Sequence, residues 1–382
     1  MAFCLFFHHK SITPNRVVYP LLTLIFAILL SDYMNDFLAL GNKVIEDWSK
    51  IVTFVVLIFL SVRGEKELKI LTTGFVIVFF LYMLHSYYEF RCGRYVSRMG
   101  INRMIGIDEA MNDPNSYGGS VVLSLPFIVP LWVLAKNIFL KIMTRVFCAC
   151  FFILAVICVI CTGSRGSMVG LVFFIILTCL MSKYRKQLLL AFIVIVPIVW
   201  LTMDASLQNR YLTIIDPSKG PANAQESTEG RIEGVRTGIR LFKKSPVYGF
   251  GPGSSVKYSP LKLQAHNLFG QVIGELGAIG LFSYIFLCFM FTINYLAAKY
   301  YWKISSSLEI DSSPYYLVVI RAVFVASLLL LLLGLGAHNA FRYNWVWYAA
   351  FQAIAVGVLK KKTEELVLQR EKLRHKILNG IH

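Results

Sequence analysis

Over most of this chain, apolar positions neither alternate at strand spacing nor recur once per helical turn. They fall in long uncharged runs, near 17–31, 49–62, 70–86, 117–135, 146–162, 166–181, 188–203, 266–298, 315–336 and 343–359. A helix of about 20 apolar residues crosses the hydrocarbon core of a bilayer, so run length is the signal here. The pattern predicts an all-α, polytopic membrane helix bundle of about ten transmembrane helices. The first two runs are short, and either extends through Tyr33 to Leu38 or begins near Val44. The chain then divides into N-terminal helices over 1–203 interrupted by a loop at 87–116, a long loop at 204–265, C-terminal helices over 266–359, and a tail at 360–382.

Composition sharpens this picture. Hydrophobic residues make up 57% of the 382 and charged residues only 15%, against about a quarter in soluble domains. That excludes a soluble enzyme and a disordered chain. The net charge of +17 is then explained by sidedness and not by nucleic acid. Ten spans put both termini on one side. The two terminal segments and the short loops on that side carry 20 Lys and Arg, whereas the short loops opposite carry only Lys43, Arg165 and Arg342. The positive-inside bias therefore makes both termini cytoplasmic and puts loops 87–116 and 204–265 outside.

His8, His9, Lys10 and Arg16 precede the first run, and no small-residue cleavage site follows, so the start reads as a retained anchor. Of eight cysteines, only Cys92 lies in an outside loop and Cys4 in the basic arm. No disulfide framework is expected. Cys158 and Cys161 have metal-ligand spacing but lie in a span, where they read as small packing residues. Trp48, Trp200, Trp345 and Trp347 fall at outer-surface depth and Trp302 at inner depth, as an aromatic belt would. No internal repeat is visible, which argues against a transporter built from duplicated halves.

Loop 204–265 is the most informative segment. Asp216-Pro217 and Gly220-Pro221 signal turns, and Ser227 or Thr228 caps a short amphipathic helix with Glu229 in its first turn. Ile232, Val235, Ile239 and Phe242 form one stripe, flanked by Arg236, Arg240 and Lys243 on one side and Arg231 on the other. The stripe is expected to face the membrane surface or the bundle top. Arginines that only meet lipid head groups are one reading of it. The glycines from Pro246 to Gly253 make a tight turn that brings this helix back over the mouth of the bundle.

His266-Asn267 opens the eighth span, with Gly277 after nine intervening residues. There an imidazole meets water on one side and a lipid-borne substrate on the other. Arg165, in Thr162-Gly163-Ser164-Arg165-Gly166, sits in a very short outside loop. A guanidinium beside hydrocarbon either binds an anion or snorkels to head groups.

The Thr162 to Gly166 stretch, Glu229-Gly230-Arg231 followed by the Pro246 to Gly253 turn, and His266-Asn267 with Gly277 together resemble, in order, the bacterial O-antigen ligase and polymerase family. The resemblance spans most of the chain. It implies a GT-C-type membrane glycosyltransferase in the bacterial inner membrane, with loop 204–265 periplasmic and the active site on that face. It implies a donor glycan on undecaprenyl diphosphate, diphosphate binding by Arg165 and Arg231, and His266 as catalytic base. The chain departs from the pattern at Val235, where ligases often carry leucine.

The chemistry suits those residue types. Transfer needs a base for the acceptor hydroxyl and a cationic clamp for the leaving diphosphate, which departs without protonation. His266 serves as base, with Arg165 and Arg231 as bidentate clamps, Arg236 and Arg240 in support, and inversion at the sugar. Asn267 and His338 are further support; His338-Asn339 repeats the His-Asn dipeptide near the outer end of the ninth span and competes with His266 as the base, but only His266 has the Gly277 spacing. Asp108, Glu109 and Asp113 form no compact Asp-x-Asp pair, and Asp113-Pro114-Asn115 reads as a turn into the fourth span, so no metal or cofactor is expected. Arg91, Arg94, Arg98 and Arg103 read as a solvated basic loop or as contacts to lipid or donor. Glu275 and Arg321 pair with each other or with other polar groups. The function expected is an O-antigen ligase passing the glycan to a lipid A core. The alternatives are a polymerase passing it to another lipid-linked repeat, a relative that glycosylates protein, and, from other classes, a polysaccharide lipid flippase or a non-catalytic assembly partner.

Overall fold

A computed structural model describes residues 16–36, 39–62, 64–98, 100–108, 111–135, 137–182, 185–214, 216, 223–260, 264–308 and 314–379. The arm with Cys4, His8, His9 and Lys10, the turn signals Pro217 and Gly220-Pro221, Glu109, and the side chains of Arg98, Ser227 and Thr228 lie outside that description. Every apolar run is helical. In order the helices are α1 (Val18–Tyr33), α2 (Ala39–Ser61) and α3 (Glu65–Arg91), then α4 (Pro114–Ser124), which continues through a short 3-10 turn into α5 (Ile128–Leu134). α6 (Ile138–Thr162), α7 (Arg165–Met181), α8 (Arg185–Thr202) and α9 (Ala205–Leu212) follow. α10 (Asn223–Lys244), α11 (Ser255–Tyr258), α12 (Leu268–Leu308), α13 (Tyr315–Gly334) and α14 (Asn344–Asn379) complete the chain. Among the described residues five helical stretches, α3, α4 with α5, α6, α12 and α13, are long and apolar enough to cross a membrane, and α1 and α7 are shorter apolar helices.

Lipid offers no hydrophobic drive for helices to associate, so packing and polar ties hold such a bundle. Phe75 of α3, Phe127 and Trp347 of α14 meet with ring centroids 5.0 to 5.3 Å apart. Asn294 of α12 donates to Gln352 Oε1 of α14 at 3.1 Å, and Gln352 donates to the Phe291 carbonyl at 3.0 Å. Trp48, Trp345 and Trp347 are buried here, correcting the expected belt. The Trp48 and Trp345 indoles donate to the Phe341 and Asn339 carbonyls.

Four other expectations change or narrow. Region 87–116 is not one loop: α3 runs to Arg91 and a hairpin of β1 (Tyr95–Arg98) and β2 (Ile101–Met104) follows, Arg98 pairing with Ile101 across a turn at Gly100. The fold is all-helical apart from this two-stranded hairpin. The amphipathic helix has 22 residues and begins at Asn223, ahead of the expected caps. Of the two placements expected for its apolar stripe, the membrane surface or the bundle top, the exposed Ile232 and Ile239 leave the first open and are not packed on the bundle. The face that packs on α12 is Gly234, Gly238 and Leu241, and a Cβ at Gly238 would sit 2.6 Å from Gly270 Cα. Small residues let the two backbones touch, and this spacing outweighed the larger apolar side chains. The tail at 360–382 is not set apart from the last run, since α14 continues without a break from Asn344 to Asn379.

Candidate active site

The site forms where the ends of α4, α6, α7, α10, α12 and α13 meet. Gly163 closes α6 in the left-handed conformation at φ 56, where other residues are strained. Ser164 then caps α7, its side chain accepting the Ser167 N–H, so Arg165 is the first residue of α7. The Thr162 to Gly166 motif is thus a helix stop and a helix start back to back. Arg165 donates to Thr213 Oγ1 at 3.1 Å. Arg210 of α9 donates to the Gly163 carbonyl at 2.5 Å. Buried Arg103 of β2 donates to the Thr162 carbonyl at 2.7 Å and to Asn115 at 3.0 Å.

Arg231 lies on the packed face of α10, one turn ahead of Gly234, whose Cβ position is 3.2 Å from the His266 backbone nitrogen. That close approach sets the height of His266 against the helix. The Arg231 guanidinium lies against Gly336, at 3.3 Å from its Cβ position. Among the described residues it forms no ion pair with a carboxylate. Burial, and then the charge of Arg165, push its pKa down. Two guanidiniums near enough for one to act on the other's charge repel, and a multiply charged anion relieves both.

Asn267 caps α12, its oxygen accepting from Phe269 N at 2.9 Å and Gly270 N at 3.1 Å, and its amide donates to the Leu335 carbonyl at 3.0 Å. It fixes His266 against the loop after α13. That loop carries His338, whose Nδ1 is 3.4 Å from His266 Nδ1. Burial, and then Arg231, lower the His266 pKa, and Asp113 opposes them. His266 is therefore neutral at pH 7, the state a general base requires.

Arg165, Arg231, His266, Asn267 and His338 thus come together. Arg236 and Arg240 do not: at 100° per residue they project about 140° and 180° around α10 from Arg231. Both are exposed, and Arg240 is taken up by Glu233 and Thr237. Asp113 is the expected helix start, accepting Ser116 N at 2.8 Å ahead of Pro114. Sequence reasoning missed Arg342, which donates to Ser116 Oγ at 2.8 Å and acts on His338. Its signal was the one that singled out Arg165, a lone arginine in a short loop. Arg103, counted among a solvated basic group, is buried beside the site.

Residues 150–285 match the family model described as O-antigen ligase. The match covers a little over a third of the chain and supports a membrane protein of the O-antigen ligase/polymerase family. The matched segment holds Arg165, Arg231 and His266, while Arg103, His338 and Arg342 fall outside it. No curated protein matches the chain.

Proposed function

We propose that this protein is an O-antigen ligase, an inverting and metal-independent glycosyltransferase. It moves a glycan from undecaprenyl diphosphate to a hydroxyl of a lipid A core oligosaccharide. Arg165 and Arg231 hold the diphosphate, and their charge takes the place of a metal clamp. The acceptor proton passes to His266, the acceptor oxygen bonds to the anomeric carbon, and the bond to the diphosphate oxygen breaks with its electron pair on the departing lipid diphosphate. The observation that carries this reading is the placement of His266 against α10, where Arg231 acts on it and Arg165 in turn acts on Arg231. We place the site at the periplasmic face of a ten-span inner-membrane protein with cytoplasmic termini, as the distribution of Lys and Arg supports.

The test is a lipopolysaccharide gel of a strain lacking the gene. Core without attached glycan, together with accumulated lipid-linked polymer, is the expected result. A single attached repeat would assign the protein as a polymerase instead, and unchanged lipopolysaccharide would contradict both.

A further inference from the structure

Two imidazoles that meet nitrogen to nitrogen have room for one hydrogen between them. The Nδ1 atoms of His266 and His338 face each other at 3.4 Å, with ring centroids 5.3 Å apart and planes inclined by 55°. The loop that carries His338 is fixed from several helices. Ala340 N donates to Gln271 Oε1 at 3.2 Å, Trp345 Nε1 to the Asn339 carbonyl at 3.0 Å, and Trp48 Nε1 to the Phe341 carbonyl at 2.8 Å. Asn339 Nδ2 ties the loop back to the Leu330 carbonyl at 2.8 Å. The pairing is therefore built by α2, α12, α13 and α14 together.

Only two arrangements of neutral rings are open to the pair. If His338 donates, His266 carries its hydrogen on Nε2 and has no lone pair left for an acceptor hydroxyl. If His266 donates from Nδ1, its Nε2 is bare and can take a proton. We propose that His338 is a positioning residue, which holds His266 in the Nδ1–H form and accepts a charge-assisted hydrogen bond from the imidazolium formed during transfer. This rests on the glycosyl-transfer reading above.

The surroundings suit that role. Burial, His266 and Arg342 push the His338 pKa down to about 4, with only Asp113 opposing, so His338 is a neutral acceptor at pH 7. Facing His266 itself are Arg231 from α10 and Asp113 from the cap of α4. An orienting group is commonly a carboxylate, which also raises the pKa of the base it serves. Here a bound diphosphate would already raise it, and a second anion would raise it further and narrow the pH range in which His266 is a free base. A neutral ring orients without that charge. The proton balance is simple: the acceptor proton reaches His266 Nε2 and leaves from there to water, and the hydrogen between the two Nδ1 atoms stays in place.

The test uses the full chain, purified and reconstituted with an undecaprenyl diphosphate-linked glycan and lipid A core acceptor. His338→Phe should lower kcat roughly 10- to 100-fold with the donor KM little changed. His338→Asp should recover most of the rate and move the acid limb of the pH profile upward by about one unit. In ¹⁵N-histidine spectra of the unaltered protein, signals lost in His266→Ala should report N–H at Nδ1 and a bare Nε2. Wild-type kcat in His338→Phe, Asp no better than Phe with an unmoved pH limb, or the reverse tautomer would each overturn the inference. Full activity in His266→Ala would instead remove the reading on which it rests.

Discussion

Two charged clusters lie along the first turns of α12 and settle their charges in opposite ways. Glu275 is completely buried, yet its carboxylate accepts from Gly253 N at 2.9 Å, Ser255 N at 3.3 Å and Ser255 Oγ at 2.5 Å. The backbone joins in: the Glu275 carbonyl accepts from Ser31 Oγ at 2.6 Å and Gly251 N at 3.1 Å. Of the two expectations for this carboxylate, Arg321 or other polar groups, the second is what holds it. At the His266 end, by contrast, Arg231 forms no carboxylate ion pair among the described residues. Asp113, which acts on both histidines, already caps α4. A buried charge with a full set of internal partners is structural. A half-buried charge that feels another of the same sign and has no carboxylate partner is the arrangement expected of a ligand site.

Substitutions should separate the two clusters by what they damage. Arg231→Gln should lower transfer about 10²- to 10³-fold, the usual cost of removing one transition-state donor, with normal protein levels and unfolding temperature. Glu275→Ala should do the reverse. It leaves buried donors without an acceptor and should cost about 3 kcal/mol or more, read as a lower unfolding midpoint in detergent and lower membrane levels. If Glu275→Ala protein folded normally but had lost transfer, the contrast between the clusters would fail.

Gly277 belongs to the structural cluster. It breaks α12 at φ 63, and its Cβ position is 2.5 Å from the Val247 carbonyl oxygen. The break lets Pro246 and Val247 carbonyls accept from Ala278 and Ile279 N–H groups. Gly277→Ala should therefore cost about 1 to 3 kcal/mol from backbone strain alone, before the clash is added, with the same readout in unfolding.

The smallest expected effect is on pH dependence. Because burial and Arg231 lower the His266 pKa, transfer should persist below the ordinary histidine range and fall only as pH drops through the lowered value. Asp113→Asn retains a capping side chain but removes the charge that opposes this shift. The acid limb of kcat/KM should then move to still lower pH, by less than one unit. Movement upward would show that Asp113 does not act on the base.

How much of this was legible in the sequence follows the same division. Run length located the helices, because a span has a minimum length whatever its partners. Arg165 and His266 stood out as charged or ionisable groups at the ends of apolar runs, and the structure brings both into one site with Arg231. The packed face of α10 was not foreseen, because hydrophobic patterning follows large apolar residues and the stripe it found could face either the membrane surface or the bundle top. In lipid the glycines at 234 and 238 carry the contact and Ile232 and Ile239 remain outside. Spacing of small residues was the signal to follow. The hairpin and the placement of Arg103 and Arg342 depend on contacts between residues far apart in the chain, such as Arg342 with Ser116, and no local pattern announces them.

The most direct test of the account is transfer by purified protein from an undecaprenyl diphosphate-linked glycan to lipid A core acceptor, in the presence of EDTA, for the wild type and His266→Ala. Loss of a general base should reduce the rate about 10²- to 10⁴-fold, with donor binding retained through Arg165 and Arg231 and an inverted linkage in the wild-type product. Transfer by His266→Ala at the wild-type rate, or wild-type transfer abolished by EDTA, would contradict it.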